Sequence, residues 1–98
     1  MDNLIFSVVV MSNNQKSIEI FYRKKLENVR NLLEDETFNR KLSMFDHSAP
    51  VTIDVRIFEC DSEKSGINDY DFLEARFKRD YRFVQECKEI GSYEFSLN

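Results

Sequence analysis

Residues 51–57 read Val51-Thr52-Ile53-Asp54-Val55-Arg56-Ile57, a strict alternation of apolar and polar side chains directly after Pro50, the only proline in the chain. Neighbouring side chains on a strand point to opposite faces, so this pattern predicts a half-buried β-strand running to about Phe58. Val51, Ile53, Val55 and Ile57 face a core. Thr52, Asp54 and Arg56 take the other side. The amphipathic segments before and after this strand each need a hydrophobic surface to lie on.

Working outward, Leu4-Ile5-Phe6-Ser7-Val8-Val9-Val10-Met11 is apolar on both alternating faces, which predicts a central strand covered on both sides or one whose open face meets a partner. A membrane span needs about 20 apolar residues, and no basic residue precedes this run as in a signal peptide. The expected location is the cytoplasm. Ser12-Asn13-Asn14-Gln15-Lys16 supplies turn-forming residues. Residues 17–33 fit two patterns. A helix capped by Ser17 places Ile18, Phe21, Tyr22, Lys25, Leu26, Val29, Leu32 and Leu33 on one stripe; a hairpin strand alternates Ile18, Ile20 and Tyr22, with the helix starting near Lys24. The next helical piece, capped by Thr37, carries Phe38, Leu42 and Phe45, and Glu36 and its neighbours suit a helix N-terminus.

After residue 58 an acidic loop spans Asp61 to Asn68. A final helix follows, capped by Asp69 or Asp71, with Lys88 in its last turn and Gly91 past its end. Phe72, Leu73, Phe77, Tyr81, Phe83, Val84, Cys87 and Ile90 form its apolar half. Ser92-Tyr93-Glu94-Phe95-Ser96-Leu97 closes the chain as a strand with Tyr93, Phe95 and Leu97 inward. The expected fold is a single α+β domain over residues 1–98: a two-layer sandwich with a small three- or four-stranded sheet and two main helices. Its order is β-(β)-α-β-α-β, with the helices most simply on one face. Nine Phe and four Tyr supply the buried area that a 98-residue core needs.

Charge is more informative than composition. Acids and bases balance through residue 50, so the whole net charge of −4 arises in residues 51–98. Glu59, Asp61, Glu63, Asp69, Asp71 and Glu74 are opposed over their stretch only by Lys64. Together with Glu34, Asp35 and Glu36 they form the candidate binding surface, a row of negative charge offered to a basic cleft on another protein. Duplex DNA carries one charge per roughly 1.7 Å of axis, so a few carboxylates at ångström spacing compete for a DNA-binding groove. Arg76 and Asp80, four apart on the apolar half of the last helix, pair with each other and, with Phe72 and Phe83, mark a candidate interface. The basic residues Arg76, Lys78, Arg79 and Arg82, and the cluster Arg23-Lys24-Lys25 with Arg30, read as solvated helix faces; direct nucleic-acid binding is not expected at this charge.

No phosphate-binding, dinucleotide, zinc-protease or nucleophile-elbow motif is present. Cys60 and Cys87 make no C-x-x-C pair and read as two separate buried or half-buried thiols in a reducing compartment. The single histidine, His47, lies in a polar turn beside Asp46. No spacing supports a Cys–His nucleophilic pair or a metal site. The expectation is therefore no catalysis, no cofactor and no metal.

In length, acidity, aromatic content, Asn-, Lys- and Ile-rich composition and lack of catalytic motifs, the whole chain resembles small bacteriophage-encoded inhibitors, including anti-restriction and anti-CRISPR proteins that imitate nucleic acid. The resemblance implies a non-catalytic inhibitor that binds a basic nucleic-acid-processing enzyme in the cytoplasm of a host cell. A second reading is a homo-oligomeric regulatory or scaffolding domain, a homodimer joined through the open sheet face near Ile5, Val9 and Met11 or through an edge strand. A third is a small enzyme using Cys60 or His47.

Overall fold

The computed structural model describes residues 4–45, 51–62, 67–80 and 87–97. The element order is β1 (Ile5–Ser12), β2 (Ser17–Tyr22), α1 (Val29–Leu33), α2 (Glu36–Leu42), β3 (Val51–Asp61), α3 (Tyr70–Arg79) and β4 (Lys88–Leu97). The four strands form one antiparallel sheet in the order β2-β1-β3-β4. The alternating stretch at 51–57 is thus an inner strand, and it runs on past Phe58 to Asp61 because β1 pairs with it as far as Ile5↔Asp61.

Of the two patterns for residues 17–33, the hairpin forms. The Asn13 side-chain oxygen accepts the backbone N–H groups of Gln15 and Lys16, both at 2.9 Å, and this turn brings Ser17 opposite Ser12. Strand geometry buries Ile20 and Tyr22, whereas a helix leaves Ile20 off its apolar stripe. Helix formation then waits until Val29 rather than Lys24, with Asn28 and Asn31 exchanging capping hydrogen bonds. The intervening segment is held by Ser7, fully buried on β1. Its hydroxyl donates to Lys24 O at 2.8 Å and accepts the Leu26 N–H at 2.9 Å, so neither polar group is buried without a partner.

The two faces of the sheet carry separate cores. On one, Val9, Met11, Ile20, Ile53, Val55 and Ile57 pack with Leu26, Leu32, Phe38 and Phe45 of the α1–α2 region. On the other, Phe6, Val8, Phe58 and Cys60 pack with Leu73 and Phe77 of α3. The α+β class and the small sheet are as expected, but the helices are shared between the faces instead of gathered on one. The reason is β1, whose two apolar faces both require cover. A sheet face left open around Val9 and Met11 does not exist: both are fully buried, and Ile5 alone of that trio is exposed.

Helix α2 starts earlier than a Thr37 cap implies. Asp35 is the N-cap, its Oδ2 accepting the Phe38 N–H at 2.9 Å and the Tyr22 hydroxyl at 3.0 Å. Burial pushes the Tyr22 phenol up above its ordinary value, and the hydrogen bond to the Asp35 carboxylate adds to that.

The last helix is the main correction. It ends at Arg79, and Lys88 opens a strand where a continued helix was expected. Cys87 and Ile90 fit a helical stripe that Gly91 would end, but β3 has an edge open to pairing, and the chain from Lys88 takes it as a strand. The ladder matches Ile57 with Gly91 and Phe58 with Glu89, so Ile90 is the extra residue of a β-bulge. Gly91 does not end a helix. A Cβ there would stand 2.7 Å from the Tyr93 ring, so glycine makes room for that ring. Tyr81, Phe83 and Val84 lie outside the described residues.

Cys60 and Cys87 are not separate thiols. They form a disulfide with Cα atoms 4.9 Å apart. The ladder explains it: Glu59 pairs with Lys88, which sets the next two residues, Cys60 and Cys87, across from each other within bonding range.

Both the disulfide and the buried phenol have measurable effects on stability. Closing a loop of 27-residue separation is worth about 3 to 4 kcal/mol in the chain-entropy account, so Cys60→Ser with Cys87→Ser lowers the urea-unfolding free energy by about that amount. For Tyr22, a raised folded pKa means that its contribution is complete below the unfolded value of 10.0 and is lost as pH rises through the folded value. Tyr22→Phe therefore costs about 1 kcal/mol near neutral pH, and its deficit against the native protein narrows in alkaline denaturation curves.

Candidate functional site

The site begins where β3 ends and α3 starts. Ser62, buried, accepts the Leu4 N–H on its hydroxyl and donates its own N–H to Leu4 O, tying the end of β3 to the start of β1. Asp69 then caps α3, its Oδ1 accepting the N–H groups of Asp71 at 2.7 Å and Phe72 at 3.4 Å. Leu73 and Phe77 turn inward, one helical turn apart. Phe72, Ala75, Arg76 and Arg79 follow at the spacings that put them together on the opposite side, and all four are exposed. Phe72 is the most exposed large apolar side chain among the described residues, at 68%. It lines an open groove of about 510 Å³ with Ile67, Asn68, Asp69, Ala75 and Arg79.

The nine candidate carboxylates divide between two places. Asp69, Asp71 and Glu74 stand at the start of α3; Glu59 and Asp61, near the end of β3, alternate with Phe58 and Cys60 and so point away from the α3 face of the sheet, and Glu63 lies outside the described residues. Glu34, Asp35 and Glu36 belong to the α1–α2 junction on the other face of the sheet. Between the two groups stands the basic stretch after β2. Arg23 Nη2 is 2.6 Å from Asp71 and its Nε 3.3 Å from Glu74. The hydrogen bond to Asp71 raises the Arg23 pKa further, against a lowering from desolvation. Lys25 Nζ is 3.9 Å from Glu59, and Lys24 and Lys25 line a polar hollow with Glu34 and Asp35.

Other acids are engaged locally. Glu36 faces Arg40 at 3.7 Å, Glu74 also meets Lys78 at 3.4 Å, and Asp35 serves the α2 cap and Tyr22. The negative charge therefore alternates with Arg23 and Lys25 instead of running as one uninterrupted ridge. Asp69 and Asp71 remain exposed beside Phe72, the Asp71 side chain at 81% even while it meets Arg23.

Arg76 and Asp80 are exposed, not set into the margin of the core. Asp80 is the C-terminal cap of α3 in extended conformation, and its backbone N–H donates to Arg76 O at 2.9 Å. Of the proposed interface, Phe72 and Arg76 share the outward face of α3, Asp80 ends it, and Phe83 lies outside the described residues.

Among the described residues no group of three or more His, Cys, Asp or Glu is placed to hold a metal ion. His47 lies outside the described residues, and joining Cys60 to Cys87 takes away the thiol that a Cys–His pair requires. No helix of the described residues is long and apolar enough to cross a membrane.

Sequence reasoning missed Arg23 as the hub of this end of the molecule. It is 48 and 51 residues from its acidic partners, and the only local signal was its membership of a basic triplet. No protein-family model matches the chain, and neither a curated protein nor a solved structure is significantly similar to it.

Proposed function

We propose that the chain is a non-catalytic protein-binding module whose contact surface is the outward face of α3. In its narrower form it is an inhibitor that occupies the basic cleft of a nucleic-acid-processing enzyme. The observation that carries this reading is Phe72, left 68% exposed between carboxylates and arginines. Burying a phenylalanine is worth about 1.5 to 3 kcal/mol, which this fold leaves unused and a partner's apolar pocket would recover. Aromatic and arginine side chains are the anchors that interfaces favour.

The partner's chemistry is set by the surroundings of that ring. Asp69 and Asp71 are exposed at the helix start, so a complementary surface presents basic side chains next to a pocket for the ring. Arg23 and Lys25 reduce the local field without cancelling it. The ring accordingly supplies affinity, and the carboxylates supply steering and orientation.

The sheet edges are less suited to carry an interface. Strand β2 has six residues, and β4 bears Lys88, Glu89 and Glu94 with a bulge at Ile90, features that discourage strand addition.

The reading is tested with purified nucleic-acid-cleaving enzymes in competition with duplex DNA. The chain displaces DNA and inhibits cleavage, with association slowing as salt is raised. Phe72→Ala weakens inhibition by about tenfold or more while leaving the fold intact, since the side chain is exposed. Equal inhibition by Phe72→Ala and the native chain would overturn the assignment of the surface.

A further inference from the structure

Helix α3, the described helix that packs on the Phe6 and Phe58 face of the sheet, buries little of itself there. Of its ten residues only Leu73 and Phe77 are buried. Phe77 packs on Phe21 with ring centroids 5.6 Å apart, and Phe21 stacks in turn on Phe6 at 5.0 Å. Among the polar anchors are the Tyr70 hydroxyl, which donates to Ile5 O at 2.8 Å, and the ion pairs of Arg23, which lie at the surface and hold little. Segments with so few buried contacts open at lower cost than the body of a domain.

The start of β4 has one covalent tie. Ahead of the bulge at Ile90, the first residues of the strand form a stub at the sheet edge, held by the Phe58–Glu89 and Glu59–Lys88 pairings, the Arg56–Glu89 bridge at 2.7 and 3.1 Å, and the disulfide. Arg56 and Glu89 are about half and more than a third exposed, so the covalent link is the strongest of these ties. Cys60 and Cys87 also belong to the apolar cluster on which Leu73 and Phe77 rest.

We infer that the Cys60–Cys87 disulfide is a redox-operated pin that keeps α3, and with it the surface around Phe72, docked on the sheet. This rests on the reading of α3 as the contact surface and adds its regulation. With the bond closed, the chain from Cys60 to Cys87 is a covalent ring, so an undocked α3 gains little freedom. With the bond open, Cys87 to Glu89 can peel back as far as the bulge, and the tether that carries α3 lengthens.

The step is an exchange with an external dithiol. A thiolate attacks Sγ of Cys87, the less buried of the two residues, and Cys60 leaves as a thiolate. The second thiol of the reductant then displaces Cys87 and closes the reductant's own disulfide. Two electrons pass to the protein, and the two cysteine thiolates take up protons from water. Disulfides in a reducing cytoplasm are commonly of this transient, sensing kind.

Amide hydrogen exchange on the full chain, oxidised and after dithiothreitol, tests the pin. On reduction, amides from Leu73 to Arg79 exchange about tenfold faster or more through an opening that low urea barely affects, while those of β1 exchange through global unfolding, which urea accelerates and which the lost cross-link also speeds. Cys60→Ser with Cys87→Ser matches the reduced chain and no longer responds to dithiothreitol. An α3 rate within about twofold of the oxidised value, or α3 amides that share the urea dependence of β1 in the reduced chain, overturns the pin. Phe72→Ala, measured alongside, keeps the exchange contrast. If that variant inhibits a target enzyme normally while the contrast persists, the contact reading fails and the pin stands. If it loses inhibition while reduction leaves exchange in α3 unchanged, the pin fails and the contact reading stands.

Discussion

The pairing of β1 with β3 creates the constraint on which the rest of the molecule depends. Their antiparallel register, from Ile5↔Asp61 to Ser12↔Asp54, makes a two-stranded centre that is apolar on both faces: Val9, Met11, Val55 and Ile57 on one, Phe6, Val8, Phe58 and Cys60 on the other. Neither face can be left to water, because every one of these side chains loses its burial energy when uncovered. Two covers are therefore required, and the chain has helical material for each. The α1–α2 region goes to one face and α3 to the other.

That division fixes the character of the candidate surface. Helix α3 is the one helix on its face among the described residues, so it presents its other side to solvent, and that side carries Phe72, Arg76 and Arg79. Had α3 shared a face with α1 and α2, a neighbouring helix would have been available to bury the ring. The exposed phenylalanine is a consequence of the two-sided sheet, and the carboxylates of its first turn are a consequence of starting a helix, where N–H groups without partners favour negative charge.

Covalent and electrostatic ties both converge on this second face. The disulfide lies at its floor, and Arg23, at the end of β2, reaches across to Asp71 and Glu74. Arg23 thereby compensates part of the charge that the acidic sequence stretch brings together, and this is why acidity along the chain does not become an unbroken negative ridge in space. It also makes the stretch Arg23 to Lys25 part of any interface formed at this end, since a partner's cations must compete with groups already in place.

Much of the fold was legible locally. The alternation at 51–57 and 92–97, the two-sided run at 4–11 and a helix cap at Asp69 or Asp71, of which Asp69 takes the role, each follow from a period or a cap within a few residues, and local steric and hydrogen-bonding rules suffice for these. The candidate carboxylates and Phe72 were readable as residue types, but not their company. Whether 17–22 was strand or helix, and whether 87–91 ended a helix or opened a strand, depended on edges of β1 and β3 that no local pattern reveals. The Cys60–Cys87 bond and the Arg23 bridges join residues 27, 48 and 51 positions apart. Contacts at that separation are set by how strands register across a sheet, a property of the whole chain, so they belong to the tertiary structure alone.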